Sequence, residues 1–289
     1  MSKYCISGLT VKIIAPEWVL HDNLKFFLCD TADTDIYCRV VFKKRTIISP
    51  EKAKLIVKTK GTSILESEEG IHILNNNEKN IPSYMVVSED WSVCTMLIDP
   101  KYDAPDDNEM AQCVRNGVFD ALRKVMIAAL VQKYGLMIHS STILWNDKGI
   151  MFSAPSGTGK STHTNLWKQL YDVQIIDGDA TACRIINGNP FVYGLPWCGT
   201  SGEFMNHRAP LGAIVFLQQA GENKIEKLDF KEAFMRLTAR SFLLPFNDKM
   251  MNQFLNVIQE VAVCADCYLL NCLPDIDAVE LVKRCLEKN

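Results

Sequence analysis

Ile36, Cys38, Val40 and Phe42 alternate with Tyr37, Arg39, Val41 and Lys43. That near period of two predicts a strand with one buried face. Shorter runs of the same kind lie between Leu9 and Ile14, Leu55 and Lys58, Gly70 and Leu74, Tyr84 and Val87, and Trp91 and Ile98. Polar breaks such as Asn75-Asn76-Asn77 separate them. The first hundred residues are therefore expected to be β-rich. His21 and His72 stand alone in this part and read as structural histidines.

A proline- and acid-rich stretch from Asp99 to Asn108 breaks the pattern and offers helix caps. Beyond it Val114, Val118, Leu122, Val125, Met126, Ala129 and Leu130 recur at helical spacing, predicting a helix from Glu109 to Tyr134 that Gly135 ends. A domain boundary is expected near Asn108, giving a β-rich domain over 1–108 and a second domain over 109–289 led by this helix. Strands are then predicted from Leu136 to Leu144 and Ile150 to Ser153, joined as a hairpin through Asn146-Asp147-Lys148-Gly149. A helix should start around Gly159 and a strand run from Tyr171 to Ile176. A second hairpin turns at Asn187-Gly188, between Thr181–Ile186 and Phe191–Gly194. Leu211 to Leu217 reads as a buried strand, and helices fit Phe230–Phe242 and Asp248–Val261. A strand over Val261–Leu270 and a helix over Asp275–Glu287 complete the chain. The fold class expected is α/β with mixed sheets.

Composition narrows the function classes. In 289 residues, 48% hydrophobic and 22% charged side chains describe an ordinary globular chain rather than a disordered one. A formal charge of -3 gives no basic excess to hold a nucleic-acid backbone. The longest apolar run of note, Val125 to Val131, falls well short of the roughly 18 residues of a membrane span. Lys12, Glu17 and His21 interrupt any secretory signal, so a cytoplasmic location is expected. Eleven cysteines are scattered along the chain. The single CxxC, Cys264 and Cys267, sits in an apolar run that reads as strand and has no second pair, so buried free thiols are expected rather than zinc.

The segment Ala154-Pro155-Ser156-Gly157-Thr158-Gly159-Lys160-Ser161 carries the chemistry. It fits the phosphate-binding loop G-x-x-x-x-G-K-[ST] with Ala154 at the first glycine position, and the predicted strand–loop–helix context is the one such a loop requires. Backbone N–H groups from Ser156 to Thr162 would cradle the phosphates, Lys160 would reach the β- and γ-phosphates, and Ser161 would ligate Mg²⁺. ATP and Mg²⁺ are the cofactors this implies. The usual acid after a second apolar strand is missing: Ala213-Ile214-Val215-Phe216-Leu217 runs into Gln218 and Gln219. The available acids are Asp177 and Asp179 in Ile175-Ile176-Asp177-Gly178-Asp179, and either could hold the metal or act as base.

His139-Ser140-Ser141-Thr142, then Gly149-Ile150-Met151-Phe152, then the loop through Thr162 resembles the kinases built like phosphoenolpyruvate carboxykinase, which include HPr kinase/phosphorylase and free-serine kinases. Tyr193-Gly194-Leu195-Pro196-Trp197-Cys198-Gly199-Thr200-Ser201-Gly202 and Pro210–Leu217 resemble uncharacterised and peptide-modifying members of that group. The resemblance spans about residues 136 to 285. It implies a P-loop kinase core of the phosphoenolpyruvate carboxykinase type, with His139 facing the phosphates. It also implies Asp179 as second acid of a doublet whose first position is glycine here. The N-terminal hundred residues do not resemble the corresponding part of HPr kinase. His163, on the first turn of the loop's helix, reads as a packing residue. Arg208 could clamp a phosphate or a carboxylate, and Thr200 and Ser201 could line an acceptor pocket.

The leading expectation is an ATP- and Mg²⁺-dependent kinase acting on a hydroxyl, with Asp179, Lys160, His139, Asp177 and Arg208 as candidate catalytic residues and Ser161 and Asp179 as metal ligands. The acceptor would be a peptide, a protein or a small molecule such as free serine, with neither nucleic acid nor membrane as partner. Homo-oligomerisation is left open. The alternative is a non-catalytic module that senses ATP and binds a protein partner. A transport ATPase and a carboxykinase fit less well, since the former's signature and the latter's metal and oxaloacetate constellation are missing.

Overall fold

A computed structural model describes residues 2–44, 52–75, 81, 83–199, 201–244 and 247–287. Of the Asn75-Asn76-Asn77 break only Asn75 is among them, and Thr200 is outside them. The chain is mixed α/β, with two mixed sheets in two compact units. One unit holds Met1–Gln132 with Leu244–Met251, the other Lys133–Leu243 with Asn252–Asn289.

The first unit contains β1 (Ser2–Ile6), β2 (Leu9–Ile14), β3 (Ile36–Phe42), β4 (Lys54–Lys58), β5 (Thr62–Ser67), β6 (Gly70–Asn75), β7 (Ser83–Val87), β8 (Val93–Ile98) and α1 (Asn108–Gln132). Its eight-stranded sheet has the order β1-β2-β3-β8-β7-β6-β5-β4, parallel only at β2/β3 and β3/β8. The alternation in β3 is visible in its burial: Ile36, Cys38 and Val40 are buried while Arg39 is exposed. Both isolated histidines are structural. His72 is buried between the Ser67 and Tyr84 hydroxyls, and His21 accepts from the Asn23 N–H and stacks on Phe119. The expected boundary near Asn108 is displaced, because α1 groups with the first unit. Nor does Gly135 end α1. Tyr134 makes the reversal in the left-handed region at φ 55°, and Gly135 already pairs in the next strand.

The second unit contains β9 (Gly135–Trp145), β10 (Lys148–Ser153), α2 (Lys160–Tyr171), β11 (Gln174–Asp177), β12 (Ala180–Ile186), β13 (Asn189–Tyr193), β14 (Arg208–Gln219), β15 (Lys224–Lys227), α3 (Phe230–Arg240), β16 (Ser241–Phe242), most of α4 (Asp248–Cys264), β17 (Cys267–Cys272) and α5 (Ile276–Leu286). Both hairpins turn on two residues of positive φ, Asn146-Asp147 and Asn187-Gly188, as tight type I′ turns demand. β9 changes partners along its length. Its first half pairs with β12 on one side and β16 on the other, and its second half with β10 and β11. Since β12 pairs with β13, β13 with β14 and β14 with β10, five strands close on themselves around β9.

Ile143, Phe152, Ala154, Trp167, Val215, Leu217, Tyr268, Leu270 and Val279 form the core under the strand–loop–helix segment. The strand expected over Val261–Leu270 starts only at Cys267, because Val261 to Cys264 form the last turn of α4. Phe254, Val257, Ile258 and Val261 keep helical spacing and are all buried, so the helix continues to Cys264. All eleven cysteines are free thiols. Cys113 and Cys264 are exposed, against the expectation that the thiols are buried, and Cys38, Cys94, Cys183, Cys198 and Cys267 are buried. No helix among the described residues is long and apolar enough to cross a membrane.

Candidate functional site

β10 delivers the chain into the loop between Ser153 and Lys160. Gly157 and Gly159 turn it at φ 78° and 109°, conformations that cost a residue with a Cβ about 1 kcal/mol or more. Lys160 begins α2, and its ammonium donates back to the Ala154 carbonyl at 3.2 Å, closing the loop on itself. Hydroxyls bind the helix start to β9. Ser141 Oγ donates to Thr164 Oγ1 at 3.2 Å, and Thr164 Oγ1 lies 3.2 Å from the Lys160 carbonyl it donates to. Ser153 Oγ donates to the His139 carbonyl at 2.8 Å. In the Ser140-Ser141-Thr142 run, Ser141 ties β9 to α2, while Ser140 Oγ donates to the Ile138 carbonyl of its own strand and Thr142 Oγ1 pairs with Thr181 Oγ1 of β12.

A cavity of about 540 Å³ opens over this arrangement. Ser156, Gly157, Gly159, Lys160, Ser161 and Thr162 form one wall. His139, Gly178, Asp179, Ser201 and Glu203 stand in the others. His139 Nε2 is 3.6 Å from Asp179 Oδ1, and Phe242 of β16 meets the imidazole edge-on. Burial holds Lys160 below its ordinary value. The Asp179 carboxylate opposes that shift, and the Arg240 guanidinium adds to it. The expected loop residues, His139 and Asp179 are therefore brought together, except that Thr158 faces a second cavity.

Asp177 is not in the cavity. It is fully buried, its Oδ1 accepting from the Asp179 and Ala180 N–H groups and its Oδ2 from that of Leu195. Burial pushes this carboxyl up to about 8, against the pull of those three donors. Its place is beneath the turn that presents Asp179, so of the two acids only Asp179 reaches the loop. Arg208 is also displaced from its expected role. It opens β14 opposite Tyr193, with its guanidinium 3.9 Å from the Phe191 ring centre. Phe216, beside Ser153 at the loop, lies eight residues further along β14, or about 26 Å of extended strand. Thr200, named with Ser201 as a pocket residue, is outside the described residues.

Gly199, Ser201 and Glu203 pack directly on the Asp179 turn. A Cβ on Gly178 would lie 2.3 Å from Ser201 Oγ, and one on Gly199 would lie 2.6 Å from Asp179 Oδ2. Two glycines thus allow a loop to close over the carboxylate. The Gly178 N–H donates to the Glu203 carbonyl at 3.0 Å, and Glu203 pairs with Lys168 of α2 at 2.8 Å.

Sequence reasoning missed Glu203, Asn165 and Arg240. Glu203 and Asn165 line the same cavity. Arg240 lines the second one, of about 420 Å³, on the other side of the loop with Thr158, Phe216, Gln219, Met235 and Arg236. Only Glu203 left a trace in the sequence, as the one acid in the segment after Trp197. A basic residue at the C-terminus of an amphipathic helix, as Arg240 is, reads as an ordinary dipole partner. Where an acid was sought after Leu217, Gln219 donates to the Thr158 carbonyl at 3.3 Å and holds the loop from its outer side.

The oxygen set present, the Ser161 hydroxyl and the Asp179 carboxylate, suits a hard divalent cation such as Mg²⁺. Among the described residues no three His, Cys, Asp or Glu side chains are grouped to hold a metal unaided. His163 is spent on packing: Trp167 donates to its Nε2 at 3.2 Å, Phe152 meets it edge-on, and burial holds it down at about 4.

No family model matches the chain, and no curated protein matches it. Among solved structures, the Hpr(Ser) kinase/phosphatase from Coxiella burnetii is similar over 53% of this chain and 94% of its own, at 7% identity and a TM-score of 0.30. A likeness at that level carries no argument, and the reading of the site stands on its geometry.

Proposed function

We propose that the second unit binds ATP and transfers its γ-phosphoryl group to a hydroxyl acceptor. The observation that carries this reading is the meeting, in one cavity, of the glycine-turned loop with Lys160 and Ser161 and of the Asp179–His139 pair. In-line phosphoryl transfer needs positioning and charge neutralisation more than covalent chemistry. The loop N–H groups and the α2 N-terminus hold the triphosphate, and Lys160 neutralises its outer phosphates. Ser161 and Asp179 would hold Mg²⁺, which when bound would supply positive charge against the phosphates.

Asp179 faces the loop and takes the acceptor's proton. His139 steadies that carboxylate from the neighbouring strand. Arg240 adds positive charge close to Lys160, the role first expected of Arg208. Asp177 acts through the backbone, by fixing the turn. The cavity is small and its charge is mixed, which favours a serine-like hydroxyl on a peptide or a small molecule.

The test is incubation with γ-labelled ATP, Mg²⁺ and a panel of free serine, serine peptides and proteins. Label in an acceptor, lost with Asp179→Asn, supports the proposal. ATP binding by calorimetry with no transfer to any hydroxyl favours the nucleotide-sensing alternative.

A further inference from the structure

Ser201 is the one residue of the cavity wall opposite the loop that carries a hydroxyl, among the described residues. It is exposed, on a segment held against the turn that presents Asp179. The two glycine approaches fix this contact from both sides: Ser201 Oγ rests where a Gly178 Cβ would stand, and the Gly199 backbone rests on the Asp179 carboxylate. Ser201 Oγ donates to the Cys198 carbonyl at 2.7 Å and accepts from the Glu203 N–H at 3.3 Å. Both bonds are to backbone groups within three residues of Ser201, which lines the same cavity as Lys160 and Asp179.

We infer that Ser201 is a site of self-phosphorylation, modified within its own cavity when ATP is bound and no acceptor is present. The inference rests on the reading of this site as an ATP-dependent kinase. Ser201 Oγ attacks the γ-phosphorus of a nucleoside triphosphate, and the bond from that phosphorus to the β,γ-bridging oxygen breaks. The electron pair leaves with the nucleoside diphosphate, and the hydroxyl proton passes to the Asp179 carboxylate. No further reactant is needed.

A hydroxyl held on the cavity wall competes with water through its effective concentration, which reaches about 10⁵ M for well-oriented groups against about 55 M for bulk water. The product adds a doubly charged phosphate beside Asp179 and Glu203. Like-charge repulsion there opposes a second triphosphate, so the reaction stops at one turnover.

The experiment uses the full chain with γ-labelled ATP and Mg²⁺, without acceptor, over a wide range of protein concentrations. The expected result is roughly one phosphate per chain, mapped to Ser201 by fragment mass spectrometry, formed at a first-order rate that does not change with protein concentration. Ser201→Ala reduces incorporation to background, and Ser201→Thr restores it. The wild-type mapping decides the matter even if the alanine variant fails to fold. Calorimetry showing ATP bound while Ser201 stays unmodified overturns this inference alone. So does label on another residue, or a rate that rises with protein concentration. Absence of ATP binding overturns the kinase reading and this inference with it.

Discussion

His163 should make the protein acid-sensitive in a defined window. The imidazole is 3% exposed, accepts the Trp167 indole N–H and lies against Phe152, so burial disfavours a proton on it and the Asp275 carboxylate offsets only part of that. Its value falls from 6.5 to about 4 on folding. Above pH 6.5 the imidazole is neutral in folded and unfolded chains alike, and stability is complete. As pH falls toward 4 the unfolded chain takes up a proton that the folded chain refuses, and stability is lost. A gap of about 2.5 pH units is worth about 3 kcal/mol. Asp177, raised to about 8, works in the opposite sense: its contribution is present in acid and lost as pH climbs from about 4 to 8. The clean quantity is therefore the difference between wild type and His163→Gln, in which Asp177 cancels and glutamine still offers an acceptor to Trp167. Urea unfolding of both proteins between pH 4 and 7.5 should show that difference constant above pH 6.5 and shrinking by about 3 kcal/mol at pH 4. In the wild-type NMR titration the His163 ring protons should stay unshifted down to about pH 5. A difference that is flat with pH, or a His163 midpoint near 6.5, refutes the burial argument.

Lys160→Ala should weaken ATP binding by about 2–3 kcal/mol, since the charged donor to the outer phosphates is lost; calorimetry on the folded variant checks it. Asp179→Asn should keep ATP affinity and lower turnover by about 10²–10⁴, measured as labelled acceptor. Arg208→Ala should leave turnover at the wild-type level and cost at most about 1 kcal/mol of stability through the lost Phe191 contact, whereas Arg240→Ala should lower turnover; equal effects of the two would undo the placement of positive charge at the loop. Gly199→Ala should lower turnover without removing ATP binding, because the new Cβ meets the Asp179 carboxylate at 2.6 Å; unchanged kinetics would show that the loop does not rest on Asp179.

The glycine-turned loop was legible because every one of its parts is local: glycines, lysine and hydroxyl stand within eight consecutive residues, and the helix follows at once. Six of the eight strands of the first unit, β2, β3, β4, β6, β7 and β8, were legible for the same reason, since burial on one face writes a period of two into strands such as β2 and β3. β1, β5 and β15 were not foreseen, and β16 was read as the end of the helix over Phe230–Phe242. β5 buries only Ile64 fully and β15 nothing, so their patterns stay close to those of loops. That Asp177 is buried while Asp179 lines the cavity depends in part on the Leu195 N–H, eighteen residues away, which no local pattern reports. Arg208 illustrates the converse error. It is near Ser201 in sequence, but β14 carries it to the opposite end of its strand from the loop. Arg240 comes to the loop only because β16 pairs with β9, a contact across roughly a hundred residues.

The closed set of strands around β9 also fixes when the site can exist during synthesis. β9 and β10 emerge early and could pair as a hairpin at once. The parallel partner of β10 is β14, and β14 in turn leans on β17, whose pairing residues run to Cys272. A ribosome that has made the phosphate loop must add over a hundred further residues before the sheet beneath that loop is complete. Until β14 is made the hairpin offers β10 as an open edge, and until β17 is made β14 offers one, the kind of surface that pairs with a stranger. The proposed nucleotide site would thus be complete only late in synthesis, and a chain cut before β17 would carry the whole motif with no platform to hold it.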